Sequence, residues 1–179
     1  MRVCNRPWFT VFALVCSAGS AVAQETRPSI GVGHQYVHLE DSSFPLGVNV
    51  DVVHGVSHRL AIAADFGWGR SRSESFGLRD VKTTWHVEGG LRWSAPDIAR
   101  VQPYAQVLFG IERDVRTIDR FGSDDVSNPL LEPAVGVMVR FFGQQRVFAQ
   151  TGLRRTFEDS NAVNAFRLVT GIRLGFGSR

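Results

Sequence analysis

Cysteine, lysine and long apolar runs are all scarce in this sequence of 179 residues. Its two cysteines, Cys4 and Cys16, lie near the N-terminus, and its single lysine is Lys82. Past residue 23 the chain therefore has no thiol, which excludes disulfide bonds and thiol chemistry from that part. No apolar run past residue 23 approaches the roughly 18 residues of a membrane helix, so the sequence predicts no transmembrane helix there.

The first 23 residues have the three parts of a secretory signal peptide. A start with two arginines precedes the apolar run from Trp8 to Cys16, and the segment ends in Ala21-Val22-Ala23. We predict that residues 1–23 are removed and that residues 24–179 form one exported domain. Two of the 20 basic residues leave with the leader, so 18 basic and 17 acidic side chains remain. A net charge near +1 argues against nucleic acid as a partner.

Past the leader, apolar and polar residues alternate with a period of two. In the stretch Trp85–Ser94, WHVEGGLRWS, two tryptophans, a valine and a leucine share one parity, and histidine, glutamate and arginine share the other. Successive side chains of a strand point to opposite faces, so such a segment separates two media. Eight such segments predict eight strands, at about 29–39, 46–54, 59–69, 81–94, 101–113, 131–142, 146–157 and 163–177.

The glycines indicate which medium is inside. Most strand glycines fall on the polar parity: Gly67, Gly90, Gly110, Gly136, Gly152, Gly171 and Gly175. An eight-stranded barrel is just wide enough inside for side chains, so small residues must stand beside large ones there. On a water-facing surface the same glycines would weaken the strands with no packing reason. The pattern predicts charged side chains inside and apolar side chains in lipid, and in the first strand it favours Gly31 and Gly33 as inward residues.

Connections between the predicted strands alternate in length. Gly69–Asp80 and Asp114–Leu130 are long, whereas the turns around Val56, between Ser94 and Arg100, and at Gly143 are short. Long loops at one end and short turns at the other are typical of outer-membrane barrels. The two long loops are the segments to which we assign a surface-interaction role.

These features, with a last strand that reads TGIRLGF, resemble the small outer-membrane β-barrel family of the OmpA and OmpX membrane-domain type. The resemblance covers essentially all of the chain after the leader. It implies an all-β fold, an eight-stranded antiparallel up-and-down transmembrane β-barrel in the cell outer membrane. Gly171, Leu174 and Phe176 match the family's assembly signal, while Val169 replaces its polar position and three residues follow Phe176. The implied partners are outer-membrane lipid, lipopolysaccharide and the barrel assembly machinery, with the chain as a monomer.

Two sets of residues follow as candidate sites. A structural charge network should fill the lumen with Asp51, Glu88, Arg92, Glu112, Glu132, Arg140, Arg154, Arg167 and Arg173, because buried charges persist only when paired. Such a packed lumen leaves no room for an aqueous channel. Aromatic girdles should comprise Trp68, Trp85, Trp93, Phe141, Phe157, Phe166 and Phe176. The two tryptophans of WHVEGGLRWS would lie about 20 Å apart in height, close to the ~25 Å apolar band of such barrels.

Two other functional classes stay open at this stage. The segment FEDSNAVN resembles the His-x-Ser-Asn signature of lipid A deacylases, with Ser160 and Asn161 in the matching places. Glu158 stands where the histidine belongs, so the serine lacks its base unless His34 or His38 reaches it, and we expect no enzyme. The other class is a soluble exported barrel of the lipocalin sort, with apolar residues inside around a small ligand.

Metal and cofactor sites are not expected. His34 and His38 would lie about 13 Å apart on one strand face, too far to share an ion. Asp124 and Asp125 with Asn128 lack the spaced ligands of a calcium loop. Arg155 falls on the lipid parity near the outer end, and we hypothesise that it reaches lipopolysaccharide phosphate.

Overall fold

The computed structural model describes residues 28–39, 43–44, 46–75, 78–118, 122–158 and 162–176. The predicted signal peptide lies outside the described residues, as do Ser160 and Asn161. The described strands are β1 (Pro28–Leu39), β2 (Ser43–Phe44), β3 (Leu46–Gly55), β4 (Leu60–Ser75), β5 (Leu78–Ser94), β6 (Val101–Ile118), β7 (Gly122–Phe142), β8 (Gln145–Phe157) and β9 (Ala162–Gly175). Within these ranges no helix is long and apolar enough to cross a membrane.

Eight long strands form a closed antiparallel barrel. β1 and β3 to β9 pair in chain order, and β1 then pairs with β9 to close the sheet. The closing register runs from Ser29 opposite Gly175 to Leu39 opposite Ala165. The short strand β2 only extends the sheet beside β1, where Phe44 is opposite Val37. The predicted fold, an eight-stranded up-and-down barrel, is confirmed.

Polar side chains fill the barrel and apolar side chains cover its outside. Leu91 and Phe109 are 61% and 69% exposed, whereas Arg154 and Arg167 are 2% and 0% exposed. In β1, Gly31 is on the buried parity, as its glycine pattern predicted. A soluble ligand-binding barrel needs the opposite arrangement, so the structure does not support that alternative.

Glycines on the inward parity allow two strands to approach closely. A Cβ added to Gly90 of β5 would lie 2.0 Å from the carbonyl oxygen of Val107 in β6. A Cβ added to Gly110 of β6 would lie 1.9 Å from the carbonyl oxygen of Val87 in β5. Real Cβ atoms do not come this close to backbone, so a side chain at either position would push the two strands apart. The polar-parity glycines therefore have the packing role that the sequence suggested.

The prediction of two long loops, at Gly69–Asp80 and Asp114–Leu130, is wrong. The segment 69–80 continues β4 and β5, which pair as far as Ser75 opposite Leu78. The segment 114–130 continues β6 and β7, which pair as far as Ile118 opposite Gly122. We call this four-stranded extension, residues 71–75, 78–82, 114–118 and 122–128, the ribbon. The ribbon side chains that the structure describes are exposed or half-buried on both faces, so the period-two signal disappears there although the strands continue.

The opposite end of the barrel carries the short connections. The turn after β3 is closed by a hydrogen bond from the amide of Val56 to the carbonyl of Leu60, 2.8 Å. The amide of Phe176 donates to the carbonyl of Pro28, 3.0 Å, so both ends of the described chain meet here. We call this the short-turn end and the other the ribbon end.

Candidate functional site in the lumen and at its two ends

A buried ion network lies inside the barrel toward the ribbon end. We call it the ribbon-side cluster, and it consists of Asp65, His86, Glu88, Glu112, Glu132, Arg154 and Arg167. The Arg154 guanidinium donates from Nη2 to Glu88 Oε1 at 2.6 Å and from Nε to Glu132 Oε2 at 2.9 Å. Its Nη1 donates to Glu112 Oε2 at 2.8 Å. One buried arginine thus joins carboxylates from β5, β6 and β7 across the lumen.

Arg167 of β9 completes the cluster from the other side. Its Nη1 donates to Glu132 Oε1 at 2.9 Å and its Nη2 donates to Asp65 Oδ1 at 2.8 Å. Its Nε donates to Gln35 Oε1 at 3.1 Å, which ties β9 to β1 where the barrel closes. Glu132 accepts from both arginines, so the two halves of the network depend on each other.

The geometry around His86 fixes which of its ring nitrogens carries the proton. Nδ1 lies 3.1 Å from Nη1 of Arg154, and a guanidinium only donates, so Nδ1 accepts. Nε2 lies 3.0 Å from Asp65 Oδ1 and therefore donates its proton. In this arrangement His86 is a neutral bridge between Arg154 and Asp65.

Asp65, His86 and Glu88 offer ligand atoms within 4.8 Å of one another, the spacing of a metal site. Most of these atoms are already used: Asp65 Oδ1 accepts from Asn49 at 2.9 Å as well as from His86 and Arg167, and Glu88 Oε1 accepts from Arg154, which leaves Glu88 Oε2 as the unpartnered oxygen. A divalent cation would also stand beside two guanidinium groups. The group therefore fits a structural network better than a metal centre.

A second, smaller network lies toward the short-turn end. Asp51 Oδ2 accepts from Arg92 Nη2 at 3.2 Å and also from Arg173 Nη2. Arg92 Nε donates to Gln106 Oε1 at 2.7 Å, and its guanidinium lies 4.4 Å from the centre of the Tyr104 ring. This cluster has two arginines for one carboxylate, the opposite balance to the ribbon-side cluster.

The two clusters contain eight of the nine residues proposed from sequence for the lumen network: Asp51, Glu88, Arg92, Glu112, Glu132, Arg154, Arg167 and Arg173. Arg140 is different. It shares the inward parity of β7 but lies at the rim, where it is exposed and donates to Asp97 Oδ2 at 2.8 Å. Strand β7 becomes irregular between Arg140 and Phe142, so this position is past the packed part of the lumen.

Sequence reasoning did not place Asp65, His86, Asn49 and Gln35 in the network. A usable signal existed, because Asp65 and His86 stand on the polar parity of neighbouring strands. In the observed register Asp65 is opposite Glu88, and two acids side by side require cations from elsewhere in the barrel. Those cations, Arg154 and Arg167, come from β8 and β9, which no pattern local to β4 and β5 reveals.

All seven predicted girdle residues lie on the outward parity. Trp68 of β4 is directly opposite Trp85 of β5 near the ribbon end. Near the short-turn end Trp93 is opposite Leu60. Those placed toward the ribbon end are Trp68, Trp85, Phe157 and Phe166, and those toward the short-turn end are Trp93, Phe141 and Phe176. Between the two groups the outward residues are mostly apolar, with His34 of β1, Thr151 of β8 and Thr170 of β9 as the polar exceptions.

Arginines stand on the outward parity among the ribbon-end aromatics. The Arg113 guanidinium lies 5.7 Å from the ring centre of Trp85, which is its partner in the sheet, and the Arg155 guanidinium lies 5.7 Å from that of Phe157. Arg70 occupies the next outward position after Trp68 on β4. Basic and aromatic side chains thus lie side by side at one end of the apolar band, the level where lipid phosphates would lie.

Ion pairs cross the strands of the ribbon. Lys82 Nζ lies 2.9 Å from Asp114 Oδ2, and Arg113 Nε donates to Asp125 Oδ1 at 2.7 Å. Arg116 Nη2 donates to Asp80 Oδ2 at 2.6 Å, and this hydrogen bond holds the pKa of the Asp80 carboxyl below its usual value. Asp125 therefore lies in a strand and pairs with an arginine, rather than in the polar loop that the sequence suggested.

The structure resembles known outer-membrane barrels. The crystal structure of Neisserial surface protein A superposes with a TM-score of 0.66 at 13% identity, covering 83% of this chain and 96% of that one. Ail of Yersinia pestis gives 0.53 at 15% identity, with 83% and 97% covered. A major outer membrane protein from Thermus thermophilus gives 0.54 at 14% identity, with 84% and 98% covered. The chain therefore has the fold of small outer-membrane barrels.

Comparison by sequence finds no relative. No protein-family model matches the chain, and no curated protein matches it.

Proposed function

We propose that this chain is an integral protein of the cell outer membrane, a non-enzymatic barrel with a packed polar lumen that presents the ribbon at the cell surface. The observation that carries the proposal is the outward apolar band between the two aromatic groups. On β6 this band runs from Val101 to Ile111 before Arg113 ends it. Ten residues at ~3.3 Å per residue and a tilt of ~40° give about 25 Å of height, the apolar thickness of such barrels.

The lumen supports a structural role rather than a conducting one. At the ribbon end the mouth holds a cavity of about 40 Å³ that ends on Arg154, His86 and Glu112. The ribbon-side cluster below it joins side chains of six strands by hydrogen bonds, so an ion would have to break several of them to pass. We propose that the cluster closes the barrel and fixes its cross-section.

Leu91→Arg tests the membrane placement. Leu91 is 61% exposed in the middle of the apolar band, where a lipid-facing arginine costs about 2–4 kcal/mol. We expect the variant to lose most of its envelope fraction and its heat-sensitive gel shift, both of which the parent chain should show. Val126→Arg is the matched control, since Val126 is also an exposed aliphatic residue on a strand but lies in the ribbon.

The two variants separate the membrane barrel from a soluble one. In a soluble protein both positions face water, so Leu91→Arg would be as harmless as Val126→Arg. Equal behaviour of the two variants, or a parent chain that stays in the aqueous phase with no gel shift, contradicts the proposal.

Arg155 is proposed to contact lipopolysaccharide phosphate. It stands on the outward parity near the ribbon end, two residues before Phe157 and with its guanidinium 5.7 Å from that ring, and a charge-assisted hydrogen bond is worth about 1.5–3 kcal/mol. We expect Arg155→Ala to weaken lipopolysaccharide binding by the folded barrel about tenfold, measured by titration in detergent. Arg116→Ala is the control, because it removes an equal charge from the ribbon and should leave the affinity for lipopolysaccharide unchanged. If Arg155→Ala also leaves that affinity unchanged, the proposal is wrong.

The ribbon is proposed as the surface-interaction element. In the described residues β4 pairs with β3 only up to Arg70, so its continuation is hydrogen-bonded to β5 along one side, while its other side lies near only the two-residue strand β2. An extended strand with a free edge can add a strand from a partner. Ail has been crystallised with the heparin analogue sucrose octasulfate, but here Lys82, Arg113 and Arg116 are each paired with an aspartate. We therefore propose a protein partner at the edge rather than a polyanion on the ribbon face.

A shortened ribbon separates folding from interaction. Replacing residues 71–82 by an Asn-Gly turn joins Arg70 to Thr83, which are already opposite each other in the sheet. We expect the barrel to keep its heat-sensitive gel shift while binding of extended, strand-forming peptides to cells that display it falls to background. Undiminished binding would exclude the ribbon edge, and sucrose octasulfate that competes for binding would favour a polyanion.

A further inference from the structure

The short-turn end contains a cavity that borders the second charge network and that the proposed surface role does not use. Its volume is about 300 Å³, several times that of the cavity at the ribbon end. Residues from the ends of most barrel strands line it, and five of them are arginines: Arg59, Arg92, Arg140, Arg146 and Arg173. A cavity of this size accommodates a small ligand.

The charge around this cavity is strongly unbalanced. Among the described residues, Asp97 is its only acidic lining residue, and it accepts from Arg140 at 2.8 Å. Asp51 lies beneath and is shared by Arg92 and Arg173. Among the described residues that line or underlie this concave site, arginines therefore outnumber carboxylates by five to two. Such a site concentrates anions.

Two of the arginines are also incompletely hydrogen-bonded. Arg92 and Arg173 are 2% and 4% exposed, and both line the cavity. Arg92 Nη1 and Arg173 Nε are buried with no hydrogen-bond partner. A buried donor left unsatisfied costs about 1–3 kcal/mol, and more when it is charged. Asp51 Oδ1 beside them is unpartnered as well, so the two guanidinium groups at the base of the cavity are not fully compensated by Asp51, and an oxyanion in the cavity would add negative charge above them.

We propose that the cavity at the short-turn end is a binding site for a small phosphate-bearing anion. The planar guanidinium fork matches the oxygens of phosphate, and a phosphate ester or diphosphate carries the two or three negative charges that the site lacks. Ser57, Ser94 and Gln144 add neutral polar groups to the lining. The site itself does not depend on the proposed function. Only its access from the periplasm rests on the outer-membrane placement, in which short turns face the periplasm.

Inorganic pyrophosphate is the probe for the test. The barrel is folded in dodecyl maltoside in a phosphate-free buffer of low ionic strength and titrated by calorimetry. We expect the parent chain to show saturable binding at one site. Arg59 and Arg146 are half-buried arginines of the lining, and the double variant Arg59→Gln with Arg146→Gln should bind pyrophosphate at least tenfold more weakly. Arg70→Gln with Arg116→Gln removes the same charge at the ribbon end and should bind as the parent does. The heat-sensitive gel shift verifies that both double variants are folded.

Chemical modification locates the bound anion. Phenylglyoxal reacts with accessible arginines, and mass spectrometry identifies the modified residues. We expect pyrophosphate to protect Arg59 and Arg146 and to leave Arg113 and Arg116 unprotected. The absence of saturable binding at millimolar pyrophosphate, equal weakening in both double variants, or uniform protection would overturn the proposal.

A second arm distinguishes a soluble anion from a lipid headgroup. The barrel is moved from the phosphate-free detergent into nanodiscs of phosphatidylglycerol. Pyrophosphate that binds equally well in both identifies a soluble phosphate as the ligand class. Pyrophosphate that is displaced in the nanodiscs, with Arg59 and Arg146 still protected, identifies the headgroup phosphate. Either result supports the anion site. The anion-site proposal can fail without any change in the membrane placement, which Leu91→Arg tests separately.

Discussion

Arg167→Leu is expected to destabilise the folded barrel by about 3–5 kcal/mol, the cost of removing one partner from a buried ion pair. Arg167 is fully buried and donates to Asp65 Oδ1 and Glu132 Oε1, at 2.8 and 2.9 Å. Leucine fills part of the volume but leaves both carboxylates without that cation in a space closed to water. The measurement is the urea concentration at which the heat-sensitive gel shift disappears in detergent, converted to a free energy of unfolding.

A surface pair provides the control for this prediction. Arg116 is hydrogen-bonded to Asp80 as closely as Arg167 is to Asp65, but in the water-exposed ribbon. Exposed ion pairs contribute about 0–1 kcal/mol, so Arg116→Leu should shift the urea midpoint little. If the two leucine variants lose equal stability, burial does not decide the strength of the network and the structural role of the cluster is wrong.

A double variant tests the physical cause. Asp65→Asn with Arg167→Leu removes the cation together with one charge that it compensates. We expect this pair to be more stable than Arg167→Leu alone, because the loss comes from an uncompensated buried charge rather than from a lost attraction. Additive losses from the two substitutions would contradict that explanation.

The sidedness of the barrel could be predicted from sequence because it depends only on parity. WHVEGGLRWS separates an apolar face from a charged one within ten residues, and the glycines on the charged face indicate the crowded side. The network could be predicted only in part, because Arg167 of β9 meets Asp65 of β4 across the lumen. Contacts across a lumen depend on the register of every strand between them, and alternation alone does not encode register.

The sequence pattern also could not predict how far the strands extend. Alternation is strong where lipid and a packed interior are on opposite sides of a strand, and it stops where water is on both sides. The first part of β7 is charged on both parities, with Asp124 and Asp125 at successive positions. A loop and an exposed ribbon therefore have the same composition, although only the ribbon has paired backbone and fixed edges.

Gly90→Ala is expected to be the most damaging conservative substitution on β5. Its new Cβ would lie 2.0 Å from the Val107 carbonyl oxygen and 3.0 Å from the Leu108 Cα, and neither backbone atom can rotate away. The strands must separate, which breaks hydrogen bonds of the β5 and β6 ladder beside Gly90. We expect a loss of about 3 kcal/mol or more, at the upper end of overpacking costs, measured by the urea midpoint of the gel shift.

Gly89, the preceding residue, is the matched control, because its side faces lipid. A Cβ there meets only the Ala63 carbonyl oxygen, at 3.9 Å, which is ordinary contact. Its backbone conformation also suits an L residue, since the positive φ glycines of the described chain are Gly122 and Gly143. Gly89→Ala should therefore gain about 0.5–1 kcal/mol, the usual cost of glycine within a strand. Stability changes of opposite sign at two adjacent glycines are expected because one faces the lumen and the other faces outward. Equal losses of stability in both variants would contradict that geometry.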